Sequence, residues 1–226
     1  MSHPQQHDNS PEMWERYYAS DAGAKGWFDR MIHWGREIYF SNLFAQRIRD
    51  LGGPATSYLE LGVGSAQTIV RLQRMTGAEC TGIEKTTNAY EIGKAYATNC
   101  TILQADAFHL PFPDKSFDVV YSLGLLEHFE PEEQVRILRE HARCARRMVV
   151  MNLPPTLLHV RLILWVNRRV FGRRGVWADE ELFSAAHMRK KYPGLPFRFQ
   201  QDFRAGGLCC WFAMKPQDLL QYVPQG

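Results

Sequence analysis

The hydrophobic pattern changes period along the chain. From about Glu12 to Leu51 it is helical and rich in large aromatics, with Phe28, Ile32, Tyr39, Phe44, Ile48 and Leu51 near the i, i+3/i+4 spacing of a buried stripe. Gly52-Gly53-Pro54 ends that stretch. Short apolar runs then alternate with helical ones. Ser57–Leu61, Glu79–Ile83, Thr101–Gln104, Phe117–Ser122 and Arg147–Asn152 read as strands, and Gln67–Met75, Thr87–Tyr96 and Pro131–Arg146 as helices. Pro131 suits a first helical turn because its φ is preset, and Glu132 and Glu133 lie where the positive helix end favours acids. Strands alternating with helices imply an α/β fold with a mostly parallel sheet.

After Asn152 the rhythm breaks. The stretch from Pro154 to Trp177 is apolar and basic together, and Ala178–Lys191 reads as a helix. Phe197–Asp202 and Leu208–Met214, separated by Ala205-Gly206-Gly207, read as a closing β-hairpin. The chain of 226 residues fits one domain over 12–226, preceded by a loose segment 1–11. Within it, 12–52 form N-terminal cap helices and 154–178 an insert.

Composition narrows the class. Apolar residues make up 45% and charged residues 23%, which excludes a disordered chain, a collagen and a disulfide mini-protein. No apolar run approaches the roughly 18–20 residues of a membrane span. The net charge of +3 is too weak to argue for nucleic acid, but Pro154–Ala178 holds five arginines and no acid. Five cysteines without a CxxC pair argue for reduced thiols and a cytoplasmic setting. His141 and Cys144 are spaced as HxxC, but nothing supplies further ligands, so no metal is expected. The polar start of the chain has no apolar signal-peptide core.

The chemistry concentrates where strands end. Leu59-Glu60-Leu61-Gly62-Val63-Gly64 runs from a strand into a glycine turn and then a helix, the usual ligand crevice of an open α/β sheet. Gly62 permits a sharp turn, and Gly64 lets a ligand approach the backbone. A dinucleotide site would want a third glycine where Gln67 stands. Glu60 would repel a pyrophosphate and welcome an ammonium group. Glu84 ends the second strand, 20 residues after Gly64, where a carboxylate can accept from both ribose hydroxyls. Asp106 follows the third strand and could accept from the exocyclic amine of an adenine.

ELGVGSA, GIEK and QADAFHLPFPDKSFDVVYSLGLLEHF together resemble the class I S-adenosylmethionine-dependent methyltransferases, and among them the small-molecule group that includes quinone and sterol methylating enzymes. The resemblance covers about Ser57 to Asn152. It implies a Rossmann-like sheet of seven strands, mostly parallel, with the last strand antiparallel, and S-adenosylmethionine as cofactor. It places Glu60, Gly62, Val63 and Gly64 around the amino-acid part of that cofactor, Glu84 with Lys85 at its ribose, Asp106 with Ala107 at its adenine, and Ser122 with Leu123 beside its methionine moiety. Lys85 has a plain reading too, as a solvated charge.

His128, just past the fourth strand, is the candidate general base because histidine titrates near working pH; its alternative role is to pack or orient the cofactor. Glu127 is a second choice. Asn152-Leu-Pro-Pro155 follows the wrong strand and lacks the tyrosine of an amino-methylating motif. The 156–177 segment has two readings: a lid over the acceptor site, or an amphipathic helix on an anionic membrane surface with Leu158, Leu162, Trp165 and Val166 buried. The arginines at 136, 139, 143, 146 and 147 are expected on a solvated helix face. The aromatic N-terminal helices are expected over the cleft, with Tyr17 or Tyr18 near the cofactor carboxylate.

The expected function is methyl transfer to a small organic, partly hydrophobic acceptor; a basic face for nucleic acid ranks third among the readings of 156–177. The alternatives are a non-catalytic cofactor-binding partner of another enzyme and, against Gln67 and Glu60, a nicotinamide dehydrogenase. Acceptor identity, acceptor atom and oligomeric state stay open.

Overall fold

The computed structural model describes residues 12–16, 36–171 and 181–222. The segments expected to be loose (1–11) and to carry Tyr17, Tyr18, Phe28 and Ile32 lie outside the described residues, as does part of the 154–178 insert.

A short helix α1 covers 12–16. After a π turn at Arg36–Phe40 come α2 (Ser41–Gly52), β1 (Ser57–Leu61), α3 (Gln67–Thr76), β2 (Glu79–Glu84), α4 (Thr87–Tyr96), β3 (Thr101–Gln104) and β4 (Phe117–Leu123). They are followed by α5 (Pro131–Cys144), β5 (Ala145–Leu153), α6 (Leu158–Phe171), α7 (Ala185–Lys191), β6 (Arg198–Asp202), β7 (Cys209–Met214) and α8 (Pro216–Tyr222). One seven-stranded sheet runs β3-β2-β1-β4-β5-β7-β6. The first five strands are parallel, and β7 runs antiparallel to both β5 and β6. The seven-stranded, mostly parallel α/β sheet with its antiparallel C-terminal pair is the fold expected.

Both faces of the sheet are covered, so its central strands are apolar on both sides. On one face Leu59, Leu61, Val120 and Met151 pack with Ile137 and Leu138 of α5 and Leu219 of α8. On the other, Tyr58, Val119, Tyr121 and Val150 pack with Ile48 of α2 and Ile69 and Leu72 of α3. The buried Asp202 carboxylate joins α2 to the hairpin. It accepts from Arg47 Nε at 2.7 Å and from Trp211 Nε1 at 3.2 Å.

Three expectations change. The helix read over Ala178–Lys191 is confined, among described residues, to Ala185–Lys191 behind a Ser184 cap. Phe183 does not join it, because its N–H donates to Pro154 O and its carbonyl accepts from Thr156 N–H, an extended bridge with its ring fully buried. The helix begun at Pro131 stops at Cys144, because Ala145 already pairs with Phe117 in the sheet. The arginines around it are not uniformly solvated. Arg143 grips Glu140, Asp114 and the carbonyls of Leu110 and Phe112, and Arg146 binds Asp118 and Ser57.

α4 packs closely against the glycine loop. A Cβ on Gly93 would stand 2.7 Å from Gly64 O, a backbone atom that cannot swing aside. We expect Gly93→Ala to cost about 1–3 kcal/mol, as overpacked sites do. Thermal unfolding followed by circular dichroism should show a clear drop in Tm; an unchanged Tm would mean the contact relaxes without cost.

Candidate active site

Parallel strands deliver their C-terminal ends to one edge, and the loops that follow enclose a cavity there. Its wall comes from Gly62, from Ile83–Thr86 at the end of β2, from Ala105–Phe108 after β3, and from Leu123–Leu125, His128 and Phe129 after β4. Trp14 of α1 completes the rim, with its ring edge-on to His128 at 5.0 Å between centroids.

The glycine loop is held by the sheet beside it. Gly62 and Val63 donate their N–H groups to Ile83 O at 3.0 and 2.9 Å. Gly62 has φ 71°, and a Cβ there would crowd Leu125 at 3.1 Å, so this wall of the cavity has room for a glycine alone. The Glu84 carboxylate fixes the rest. One oxygen accepts from Gly64 N–H at 3.0 Å, and the other accepts from Lys85 N–H, Thr86 N–H and the Thr86 hydroxyl at 2.9–3.0 Å. The oxygen facing Gly64 keeps a free lone pair, and the residue lines the cavity.

Asp106 sits across from it. One oxygen accepts from Phe108 N–H at 3.0 Å, and the other pairs with Lys85 Nζ at 2.9 Å. Partial burial pushes its pKa up, but the Phe108 N–H and the Lys85 ammonium together hold it below the usual range. Phe108 itself lies under the Arg136 guanidinium, 4.8 Å from ring centroid, and edge-on to Phe129.

Of the sequence-predicted residues, the structure gathers Gly62, Glu84, Lys85, Asp106, Ala107, Leu123 and His128 around this cavity. Val63, Gly64 and Ser122 stand behind the wall: Val63 and Ser122 are buried, and Gly64 meets the site through its bond to Glu84. Glu60 is placed differently from the expectation. Strand parity turns it away from the cavity, toward the face of Tyr58 and Tyr121, where it is buried and accepts from the Tyr121 hydroxyl at 2.8 Å. The insert contributes no lining residue among those described. His141 donates its Nδ1–H to Ile137 O, 2.9 Å away, and burial lowers its pKa to about 4. Among the described residues no group of His, Cys, Asp and Glu could hold a metal.

Trp14 stands where the aromatic N-terminal helices were expected, over the cleft, whereas sequence reasoning missed Glu15. Glu15 caps α4 from 72 residues away, accepting from Thr87 N–H and Asn88 N–H, and so ties α1 across the cavity. No local signal announces such a pairing.

Burial raises the Glu60 pKa to about 8, against a smaller opposing effect of the Tyr121 hydrogen bond. The folded chain therefore keeps a proton that the unfolded chain has lost above its ordinary pKa near 4.5. This contribution to stability is complete below about pH 4.5, shrinks as pH rises, and is gone above about pH 8. We expect Glu60→Gln, which keeps an acceptor for Tyr121 without the charge, to gain Tm over the parent steadily between those limits. A Tm difference that does not change with pH would place a charged carboxylate there instead.

The comparisons agree with this geometry. The methyltransferase domain family matches residues 59–150. A sterol 24-C-methyltransferase from Gibberella zeae is 30% identical over 139 residues, covering 54% of this chain and 36% of that protein. Sterol methyltransferase-like 1 from Botryococcus braunii is 28% identical over 221 residues, covering 86% and 55%. The chain thus spans about a third to about half the length of these relatives. Among solved structures, magnesium protoporphyrin IX methyltransferase from Synechocystis, with bound SAH, superposes with a TM-score of 0.64 at 16% identity, covering 92% of this chain and 94% of that one. Residues 59–150 thus form a methyltransferase domain, and the sheet order and the cavity at the strand ends are those of the class I S-adenosylmethionine-dependent methyltransferase fold.

Proposed function

We propose that the chain transfers a methyl group from S-adenosylmethionine to a small organic acceptor with a hydrophobic portion. The observation that carries this reading is the Glu84 carboxylate, tied to the glycine loop by Gly64 N–H yet retaining a free lone pair at the cavity wall. The residues present suit that cofactor. Two carboxylates and a largely apolar wall favour hydroxyl and amine donors. Among the described lining residues the one cation, Lys85, is already paired with Asp106, which leaves nothing to neutralise a diphosphate.

Bound, the cofactor supplies a methyl group already activated by its sulfonium charge. The chain aligns the reactants and keeps water out. Glu84 holds hydroxyls, with Lys85 beside it, and Asp106 and Ala107 border the ring end against Phe108. Gly62, Gly64 and Val63 shape the backbone side, with Ser122 and Leu123 below. Glu60 acts from behind the loop: an ammonium group over the loop would favour its charged form, so binding would release its proton. His128, on the rim beside Trp14, is the group that takes the acceptor's proton when that acceptor is a hydroxyl. The acceptor named for one relative, a sterol, supports an apolar acceptor here.

Calorimetric titration with S-adenosylhomocysteine, with NADH as control, tests the cofactor. We expect binding of the first alone, and Glu84→Gln to weaken it about 10- to 100-fold, the scale of one or two hydrogen bonds to a charged group. Binding of NADH alone would reassign the site to a dehydrogenase. In an acceptor screen, His128→Ala should slow a hydroxyl acceptor about 10²–10⁴-fold with cofactor affinity retained. A loss under about tenfold would leave His128 a packing role. Cofactor binding without turnover of any acceptor, in a stable complex with another enzyme, would favour a non-catalytic module.

A further inference from the structure

α6 has its apolar side facing outward. At about 100° per residue, Val160 and Leu164 share one side of the helix, and Leu158, Leu162, Trp165 and Val166 share the opposite side. Val160 is buried against the body, whereas Leu158 is 81% exposed and Leu162 and Trp165 are each 57% exposed. A helix apolar on both sides is ordinarily buried all round; this one leaves half its apolar surface in water. The turn between β6 and β7 extends the patch. A Cβ on Gly207 would meet the His159 ring at 3.1 Å, so the turn abuts the start of α6, and it carries Phe203, 76% exposed, and Leu208. Exposed contiguous apolar surface of this kind marks an interaction site.

Charge selects the occupant. Arg161 is exposed beside the stripe and Arg169 at its C-terminal end, one turn beyond Trp165, and the segment from Pro154 to Ala178 holds five arginines and no acid. A second copy would bring like charges together, and nucleic acid would not cover the tryptophan and leucines. An anionic lipid surface satisfies both halves, with headgroups at the arginines and acyl chains at the stripe. None of the described helices is long and apolar enough to cross a membrane, so the contact is superficial.

We propose that α6 and the β6–β7 turn form a docking face for an anionic lipid bilayer. β5 ends at Leu153, paired with Cys210, and β7 begins at Cys209, so this face lies at the same sheet edge as the cavity. Docking brings that edge to the lipid, where an apolar acceptor would reside. The docking itself does not depend on the methyl-transfer reading.

The test is co-sedimentation of the full chain with phosphatidylglycerol-rich vesicles and with pure phosphatidylcholine vesicles, with S-adenosylhomocysteine titrated in parallel. We expect binding to the anionic vesicles alone, weakened by salt. The pair Leu162→Asp and Trp165→Asp should reduce it at least about tenfold, and Arg161→Glu with Arg169→Glu should abolish its preference for anionic lipid. Circular dichroism and unchanged S-adenosylhomocysteine affinity would show the variants folded. Failure to bind either vesicle, or binding that ignores both pairs of substitutions, would overturn the proposal. So would a concentration-dependent dimer, seen by sedimentation velocity and lost with Trp165→Asp, because the stripe would then cover a second copy.

Discussion

The Glu84 carboxylate is the interaction on which the site depends. It sits at the last residue of β2, and its two oxygens accept from three backbone N–H groups and one hydroxyl. Those donors belong to the glycine loop and to the turn into α4, which are separate in sequence and are joined by this group. Hydrogen bonds to a charged acceptor are about twice as strong as neutral ones, so one buried side chain fixes the relative position of two loops. The close approach of Gly93 to Gly64 O, and of Gly82 to the Val63 side chain, then becomes possible. Glycine at these positions is a packing requirement imposed by loops that the carboxylate has already drawn together.

α1 is attached to the same corner. Glu15 accepts from the first free N–H groups of α4, where a helix start favours negative charge. Its neighbour Trp14 thereby reaches His128. The rim of the cavity is therefore set by the start of α4 as much as by the loop after β4. A change at the helix start would move the tryptophan and, through it, the surroundings of the histidine.

Much of the sheet was legible because parallel strands buried on both faces write themselves as short apolar runs between helical periods. The bounds of α4 and β3 agree with the sequence reading residue for residue. Legibility failed where a distant partner decided the outcome. Phe183 was captured by the backbone of Pro154 and Thr156, which no local pattern shows, and α8 is a single short helix with no strong signal before Pro216. Arg143 belongs by type to a solvated face, yet two carbonyls and two acids converge on it. Within the site, Glu84 and Asp106 were readable because strand ends in a parallel sheet share one edge. The orientation of Glu60 depended on strand parity together with the position of Tyr121, one strand away and 61 residues later.

That orientation changes how charge is used. Asp106 is neutralised by Lys85, and Glu60 is held protonated at neutral pH by burial, so Glu84 is the carboxylate at the cavity that meets no cation among the described residues. With Asp106 paired and Glu60 buried behind the wall, the cavity does not attract cations indiscriminately. It offers one strong acceptor for hydroxyl donors at the wall. On the proposed reading, a ligand that carries a diol gains from that acceptor, and a phosphate ester does not. The apolar walls of Phe108, Leu125 and Phe129 sharpen the distinction, because they lower the local dielectric in which those charges act. The character of the cavity thus follows from burial and pairing of the acids as much as from their number.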